Sequence, residues 1–246
     1  MQEITSVNNQ LVKETVKLQQ KKYRDNQKQF LIEGFKPIKE AFDAGIEIKY
    51  AFVHKEKKDK YSFLEDKLIL ANDAVLKKIS TTDTPPEAVG VAIQKHFSIS
   101  DLEGAKKVVL LENIRDLGNL GTILRSAVAF KADGVVLYGD CADLYNPKCV
   151  RSTVGNLWKI PVVYLDKLDK TFDNFQRIAT LPRSNNLLKN FKPEEKILLM
   201  FGSEADGLSQ ELVSYSTDSV KIEMAETVES LNLSVSCAVI MYELFV

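Results

Sequence analysis

Short apolar runs alternate with helix-like segments through the second half of the chain. Four of these runs are apolar nearly throughout and the fifth is mixed: Val108–Leu111, Gly134–Tyr138, Pro161–Leu165, Ile197–Phe201 and Val220–Met224. Strands that are apolar on both faces must be covered on both faces, which is typical of a parallel sheet between two layers of helices. The sequence therefore predicts an α/β fold with a parallel, Rossmann-like sheet over residues 107–246. We expect its helices at 120–130, 147–157, 209–214 and 230–245, and a weaker strand and helix pair near 171–181.

The first third of the chain predicts a separate, small α/β domain over residues 1–96. Its pattern indicates helices over 8–24, 36–44 and 73–79, and strands over 30–33, 48–53, 68–70 and 89–93. A polar stretch without periodicity, His96–Gly104, follows and marks a linker over 97–106.

Charge is unevenly distributed along the chain. The net charge is −1, yet residues 10–39 hold eight basic and three acidic side chains. Five of the basic residues are spaced as neighbours on one helical face: Lys13, Lys17, Lys21, Arg24 and Lys28. A sixth, Lys22, lies beside them in the sequence. Such a stripe can follow an RNA phosphate backbone, although an ordinary solvated helix face would have the same pattern.

Other features exclude several classes of protein. No apolar run approaches the ~20 residues of a membrane span, and the N-terminus has no secretory pattern. Three cysteines without CxxC spacing and two isolated histidines predict free thiols and no metal site. We therefore expect a cytoplasmic protein without membrane or metal partners.

Two glycine-containing loops fail the tests for common nucleotide motifs. Gly118 and Gly121 do not spell GxGxxG, which disfavours a dinucleotide-binding metabolic enzyme. Gly202 and Gly207 have phosphate-loop spacing, but Leu208-Ser209 follows where Lys and Ser/Thr are required. Neither loop therefore predicts a site for a dinucleotide or a nucleoside triphosphate.

Three segments that follow predicted strands resemble the ordered motifs of the SpoU/TrmH family of SPOUT RNA methyltransferases. They are Asn113–Ala127, Leu199–Ser209, and Ile222–Met224 followed by Ser230–Ser236. The resemblance covers about 107–246. The N-terminal third more weakly resembles the L30e-like substrate-binding domain of such enzymes, through Phe30–Gly34 and Thr81–Pro86.

The resemblance implies a C-terminal trefoil knot that binds S-adenosyl-L-methionine. Backbone groups of the second and third motifs would hold this cofactor, at Gly202, Gly207, Ile222, Met224 and Leu231. The third motif departs from the family pattern, since Glu223 stands where a proline is usual. Loss of the proline restores an N–H donor and could loosen the turn that faces the cofactor.

The resemblance also assigns catalytic residues. Arg125 would engage the ribose 2′-hydroxyl and the adjoining phosphate, and Asn232 with Ser230 would position them. Asn119 would hold loop geometry and Glu204 would brace its own loop. Because a guanidinium stays protonated, we expect Arg125 to stabilise developing negative charge rather than to act as a base.

The sequence thus predicts an RNA 2′-O-ribose methyltransferase that acts on ribosomal or transfer RNA. The alternative is a non-catalytic RNA-binding paralogue in ribosome assembly, although five catalytic-type residues together disfavour it. The last helix is apolar on nearly every face. We therefore expect it to be buried on all sides, with a homodimer covering part of it.

Overall fold

Two sheets hold the strands of the chain, and each sheet belongs to a separate unit. The structure is a computed structural model that describes residues 2–168 and 170–246. One unit consists of the chain up to Lys95 and of Asp143–Trp158, and the other of His96–Ala142 and Lys159–Val246. Within the described residues, no helix is long and apolar enough to cross a membrane.

The first unit is a mixed sheet with helices packed on it. Its strands are β1 Gln2–Ile4, β2 Gln29–Glu33, β3 Ile48–His54, β4 Leu68–Ala71 and β5 Ala88–Ile93. Its helices are α1 Gln10–Lys17, α2 Lys21–Gln27, α3 Phe35–Asp43 and α4 Asp73–Ile79, with a 3₁₀ segment over Lys55–Lys67. The strand order is β1-β4-β3-β5-β2; β1, β4 and β3 are parallel, and β5 is antiparallel to both neighbours.

The single helix predicted over 8–24 is wrong. The chain leaves the α-helix at Leu18, where three successive N–H groups, from Leu18 to Gln20, bond to carbonyls three residues back. The Leu18 side chain is buried, and Gln19 donates to the carbonyls of Ile79 and Ser80 at 3.1 Å. These tertiary contacts stabilise the break, so the basic residues of 13–28 do not share one helical face.

The prediction that Arg24 contacts RNA is also wrong. Its side chain is only 1% exposed and forms an ion pair with Asp143. The Arg24 Nε donates to Asp143 at 3.0 Å, and Nη1 donates to the Leu18 carbonyl at 2.8 Å. A buried guanidinium that pairs with Asp143 cannot reach a phosphate, and Arg24 instead stabilises the first unit.

The second unit contains the parallel sheet that the apolar runs predict. Its strands are β6 Lys107–Glu112, β7 Gly134–Tyr138, β8 Val162–Leu165, β9 Gln176–Thr180, β10 Ile197–Phe201 and β11 Asp218–Val220. Their order is β11-β9-β10-β6-β7-β8, and every pairing is parallel. The predicted α/β fold with a Rossmann-like parallel sheet is confirmed. Its helices are α5 Leu117–Ala129, α7 Gln210–Tyr215 and α8 Leu233–Phe245.

The helix predicted over 147–157 is shorter and belongs to the first unit. Helix α6 spans Pro147–Ser152, and Val154 and Gly155 then adopt left-handed backbone with φ of 50° and 79°. Left-handed residues end a helix because they cannot continue its hydrogen bonding. Tyr145 precedes α6 and packs on Phe30, with the ring centroids 4.7 Å apart.

The last strand ends earlier than predicted. β11 stops at Val220, because its neighbour β9 ends at Thr180 and the pairing passes to a loop. The Lys221 N–H donates to the Asn186 carbonyl at 3.0 Å, and Leu188 donates back to the Lys221 carbonyl at 2.9 Å. The segment from 222 to the start of α8 is therefore irregular.

Helix α8 is covered on only one side within this chain, and the predicted burial of its remaining surface by a second copy stays a prediction. One face is buried through Cys237, Ile240, Met241 and Leu244. The opposite face carries apolar side chains spaced 4, 3 and 4 residues apart that remain exposed, at 48%, 40%, 59% and 72% in chain order: Val235, Val239, Tyr242 and Val246. We call this exposed face the α8 apolar face.

The buried position of Arg24 leads to a stability prediction. Arg24→Gln should lower the free energy of unfolding by about 3 kcal/mol, because it leaves the Asp143 carboxylate, 13% exposed, without its partner. Lys22→Gln is the matched control, since Lys22 is an exposed cation of the same helix and its replacement should change stability by less than about 0.5 kcal/mol. Urea unfolding measures both values. Equal stability of the two variants would contradict this role for Arg24.

Candidate functional site

The loops that follow β6, β10 and β11 lie at one edge of the parallel sheet. In parallel sheets the carboxyl ends of the strands meet at the same edge, where ligands of this fold bind. These loops hold the residues predicted to be catalytic or to bind the cofactor, except Asn119 and Arg125, which lie in helix α5 after the first loop.

A chain of hydrogen bonds joins the three loops. The side-chain amide of Asn119, in the first turn of α5, donates to the Glu204 carboxylate after β10. The Asn232 amide then donates to the Asn119 carbonyl oxygen at 3.2 Å. The structure thus brings together Asn119, Glu204 and Asn232, which are separated widely in sequence.

The chemistry of the groups determines the direction of each bond in this chain. A carboxylate only accepts, so Asn119 must present its amide nitrogen to Glu204 and its oxygen to Asn232. Asn232 in turn is the N-cap of α8, and its oxygen accepts from the N–H groups of Ser234 at 2.9 Å and Val235 at 3.3 Å. The position of Asn119 is therefore tied to the start of α8.

The loop after β10 is closed tightly on itself. A Cβ atom on Gly202 would lie 2.0 Å from the backbone carbon of Gly207, so no other residue fits there without displacing backbone. Gly207 has a φ of 69°, and its N–H donates to the Ser203 carbonyl at 3.0 Å. The turn leaves the N–H groups of Glu204 and Ala205 without a partner among the described residues.

The segment after β11 also has unpaired backbone groups. Within the described part of the chain, the N–H groups of Ile222, Glu223 and Met224 make no hydrogen bond. Leu231 remains 38% exposed further along this segment. Unpaired backbone donors and an exposed apolar side chain in one segment are what a nucleoside cofactor recognised by backbone requires, so the predicted residues fit S-adenosyl-L-methionine.

The unusual residue Glu223 has a partner in the structure. Its carboxylate accepts from the Lys189 ammonium, in the loop after β9. The two side chains are 56% and 59% exposed, so the pair contributes at most about 1 kcal/mol. The ion pair connects the third motif to a neighbouring loop, through the residue that stands in place of the usual proline.

Arg125 and Ser230 stand apart from this hydrogen-bond chain. Arg125 lies six residues after Asn119, about two turns along α5, and is exposed. Neither it nor the exposed Ser230 makes a hydrogen bond or ion pair to any described residue. Asn232 therefore contacts Asn119 in this structure. Arg125 has no partner among the described residues and is free to meet a ligand.

Two acidic residues at this edge were missed by the sequence reasoning. Glu112, at the end of β6, is buried and accepts from the Ser209 N–H at 2.7 Å, which holds the start of α7. Asp116 caps α5 by accepting from the Asn119 N–H at 2.7 Å. The sequence did contain a signal for both residues: a carboxylate ends an otherwise apolar strand, and an N-cap residue follows it.

Cys237 lies in α8 close to this site and is chemically quiet. Burial, and then the negative charge of Glu204, raise the pKa of its thiol well above the ordinary value. The thiol is therefore protonated at neutral pH and is a poor nucleophile.

Comparison with known proteins agrees with this geometry. Residues 106–242, more than half of the chain, match the model of the SpoU rRNA methylase family. The chain belongs to the SpoU rRNA methylase family. Residues 9–90 match the MRM3-like substrate binding domain.

One relative and two solved structures are similar to this SpoU family member over nearly their whole length. The chain is 32% identical to the 23S rRNA (guanosine(2553)-2′-O)-methyltransferase of Bacillus subtilis, over 99% of each sequence. Among solved structures, an AdoMet-bound rRNA methyltransferase from Sinorhizobium meliloti superposes with a TM-score of 0.89 at 28% identity, over 98% of this chain and 96% of that one. The AdoMet complex of the SpoU methyltransferase AviRb from Streptomyces viridochromogenes gives 0.85 at 25% identity, over 96% and 97%.

The closed loop after β10 leads to a binding prediction. Gly202→Ala should weaken binding of S-adenosylhomocysteine at least ~10-fold, because the new Cβ displaces the backbone of the loop that carries the unpaired donors. Gly104→Ala is the control: Gly104 has positive φ and open space around it, so that change strains a surface turn without touching this edge. Calorimetric titration measures both affinities. Equal affinities would mean that the loop takes no part in binding.

Proposed function

We propose that this SpoU family member transfers a methyl group from S-adenosyl-L-methionine to a ribose 2′-hydroxyl of RNA, with ribosomal RNA as its substrate. The observation that carries the proposal is the hydrogen-bond chain through Asn119, which joins the loops after β6, β10 and β11 at the ligand-binding edge of the sheet. The relatives named for 2′-O-methylation of 23S rRNA support the choice of substrate.

The cofactor, when bound, supplies an electrophilic methyl group on a positively charged sulfur. Backbone groups at Gly202, Gly207, Ile222 and Met224 would hold it, and Leu231 would add apolar contact. The trefoil knot implied by the resemblance stays a prediction.

Arg125 is proposed to act on the substrate oxygen. A guanidinium cannot accept a proton at neutral pH, but its fork of donors can bind a 2′-oxygen and the adjoining phosphate together. Arg125 would therefore align the oxygen and stabilise its developing negative charge, while the proton leaves to phosphate or water. Ser230 would position the same groups, and Asn119, Glu204 and Asn232 would brace the loops around them.

Retention of all five residues favours catalysis over the non-catalytic alternative. A protein that only binds RNA has no need for the connected Glu204, Asn119 and Asn232 beside an unpaired Arg125. A cytoplasmic location is proposed from the sequence, chiefly because three cysteines without CxxC spacing suit a reducing compartment.

Replacing Arg125 tests this function. Arg125→Ala should lower the rate of methyl transfer at least ~100-fold, because one stabiliser of the transition-state charge is lost, and should leave affinity for S-adenosylhomocysteine within about twofold. Arg125→Lys should recover little, since an ammonium lacks the fork. The assay is transfer of labelled methyl to total RNA from cells that lack the gene, followed by mapping of 2′-O-methyl sites.

The control is Lys131→Ala, which removes an exposed cation just beyond the end of the same helix and should not alter the rate. Methyl transfer at the wild-type rate by Arg125→Ala would contradict the assigned role. Failure of the unaltered protein to bind S-adenosylhomocysteine or to methylate any RNA would contradict the proposed function itself.

The N-terminal unit is proposed to bind RNA through exposed lysines. Lys13, Lys21, Lys22 and Lys28 are exposed, and Lys17 is partly exposed beside Glu14, with their charged groups 2.7 Å apart. The match to a substrate binding domain over the same residues supports this role. With Arg24 buried, the lysines alone would supply the phosphate contacts.

We further propose that the protein is a homodimer that buries the α8 apolar face. Four apolar side chains in one row, between 40% and 72% exposed, are unusual on a helix of a soluble monomer. A twofold axis would pair this row with its copy, because the same patch serves both subunits.

A charge on this face should prevent dimer formation. Val239→Glu should give a monomer at micromolar concentration, since pairing would bury an unpaired carboxylate. Val7→Glu is the matched control, because Val7 is an exposed valine outside α8, at 37% exposure. Light scattering gives the mass of each. A monomeric unaltered protein, or a dimeric Val239→Glu variant, would contradict the proposal.

A further inference from the structure

We infer that the loop between β9 and β10 forms a pocket that reads one unpaired nucleobase of the RNA, an inference that rests on the proposed function. The loop begins after Thr180, at the same carboxyl edge of the sheet as the motif loops. It includes a depression of about 260 Å³ lined by Asn185, Asn186, Leu187, Asn190 and Phe191. None of these residues belongs to the three motifs.

The loop is held in place by its neighbour along the sheet edge. The Asn186 amide donates to the Ser219 carbonyl at 3.0 Å, and Lys221 and Asn186 are linked through their backbones at 3.0 Å. Ser184 is buried, and its hydroxyl oxygen accepts from the Asn186 N–H at 3.1 Å. A fixed backbone holds its side chains in constant positions. Specific hydrogen bonding to the edge of a nucleobase requires donors and acceptors held in this way.

The side chains that line the depression offer unused hydrogen-bonding groups. Asn185 and Asn190 are exposed, and their amides bond to no other residue in the part of the chain that the structure describes. Each amide presents a donor and an acceptor together, the combination that pairs with the edge of a base. Phe191, which is partly buried, adds an aromatic ring on which a base can stack.

Charge and size both suit a nucleotide. The loop, residues 181–196, carries four basic residues, Arg183, Lys189, Lys192 and Lys196, against two acidic ones, Glu194 and Glu195. The depression of about 260 Å³ lies below the ~300–1,000 Å³ of pockets for drug-sized ligands, so it suits one base rather than several. Because Lys189 also pairs with Glu223 of the third motif, the pocket is linked to the proposed cofactor loop. The base read here would belong to the target nucleotide or to a close neighbour.

The experiment measures base preference with short RNA probes. Fluorescent rA₈, rC₈, rU₈ and r(GU)₄ are titrated with the full-length protein in the presence of S-adenosylhomocysteine, and binding is followed by anisotropy. The unaltered protein should prefer one probe by about tenfold, since one good amide–base pair discriminates by this order. The double variant Asn185→Ala/Asn190→Ala should bind all probes within about twofold of one another.

Two further variants separate base reading from general effects. Phe191→Leu should weaken all probes to a similar extent, at least about fivefold, because stacking tolerates any base. Asn174→Ala is the matched control, as Asn174 is an exposed asparagine without a side-chain partner among the described residues, just before β9 at the opposite sheet edge. It should keep the preference of the unaltered protein. Thermal unfolding of each variant verifies that it is folded.

Two outcomes would overturn the pocket: equal binding of all probes by the unaltered protein, or an undiminished preference in the double variant. Calorimetry with S-adenosylhomocysteine and methyl transfer to total RNA are measured on the same preparations. If these two activities are present while the base preference is absent or unaffected, only the pocket is wrong. If both activities are absent from the unaltered protein, the proposed function fails.

Discussion

The two hydrogen bonds made by the Asn119 side chain are the interaction on which the candidate site depends. Each of the three loops leaves a different strand of the parallel sheet, and nothing in the sheet itself requires the loops to meet. The Asn119 amide spans the gap, because it can give a proton to the Glu204 carboxylate and accept one from Asn232. Since Asn232 also caps α8, the position of the last helix is set by the same group.

Local sequence patterns were sufficient to predict the sheet, whereas the site residues came from the family resemblance. The strands Lys107–Glu112 and Ile197–Phe201 are apolar because both faces of the sheet are covered. Such an apolar run can be recognised from the sequence of the strand alone, without knowledge of the residues that pack on it. The motif glycines and Asn119 were assigned through the resemblance to the SpoU/TrmH motifs rather than from the local pattern. For Gly202, the structure adds the reason, which is the backbone of Gly207 at the place of a Cβ.

The failures of prediction involve contacts between distant residues. Arg24 has helical spacing with its basic neighbours, but its partner Asp143 lies 119 residues away, and no local pattern could show it. The break at Leu18 likewise depends on Gln19 reaching residues 79 and 80. The apolar composition of α8 was read correctly, yet composition alone could not tell a face covered by this chain from a face left for a partner.

Reversing the polarity of the Asn119–Glu204 hydrogen bond tests the account most directly. Asn119→Asp places two carboxylates together and should weaken S-adenosylhomocysteine binding at least ~10-fold in calorimetry. Adding Glu204→Gln supplies an amide that can donate to the new carboxylate, which still accepts from Asn232. The affinity of this double variant should return to within about threefold of the original. Unchanged binding by the single variant, or no recovery in the double variant, would contradict the account.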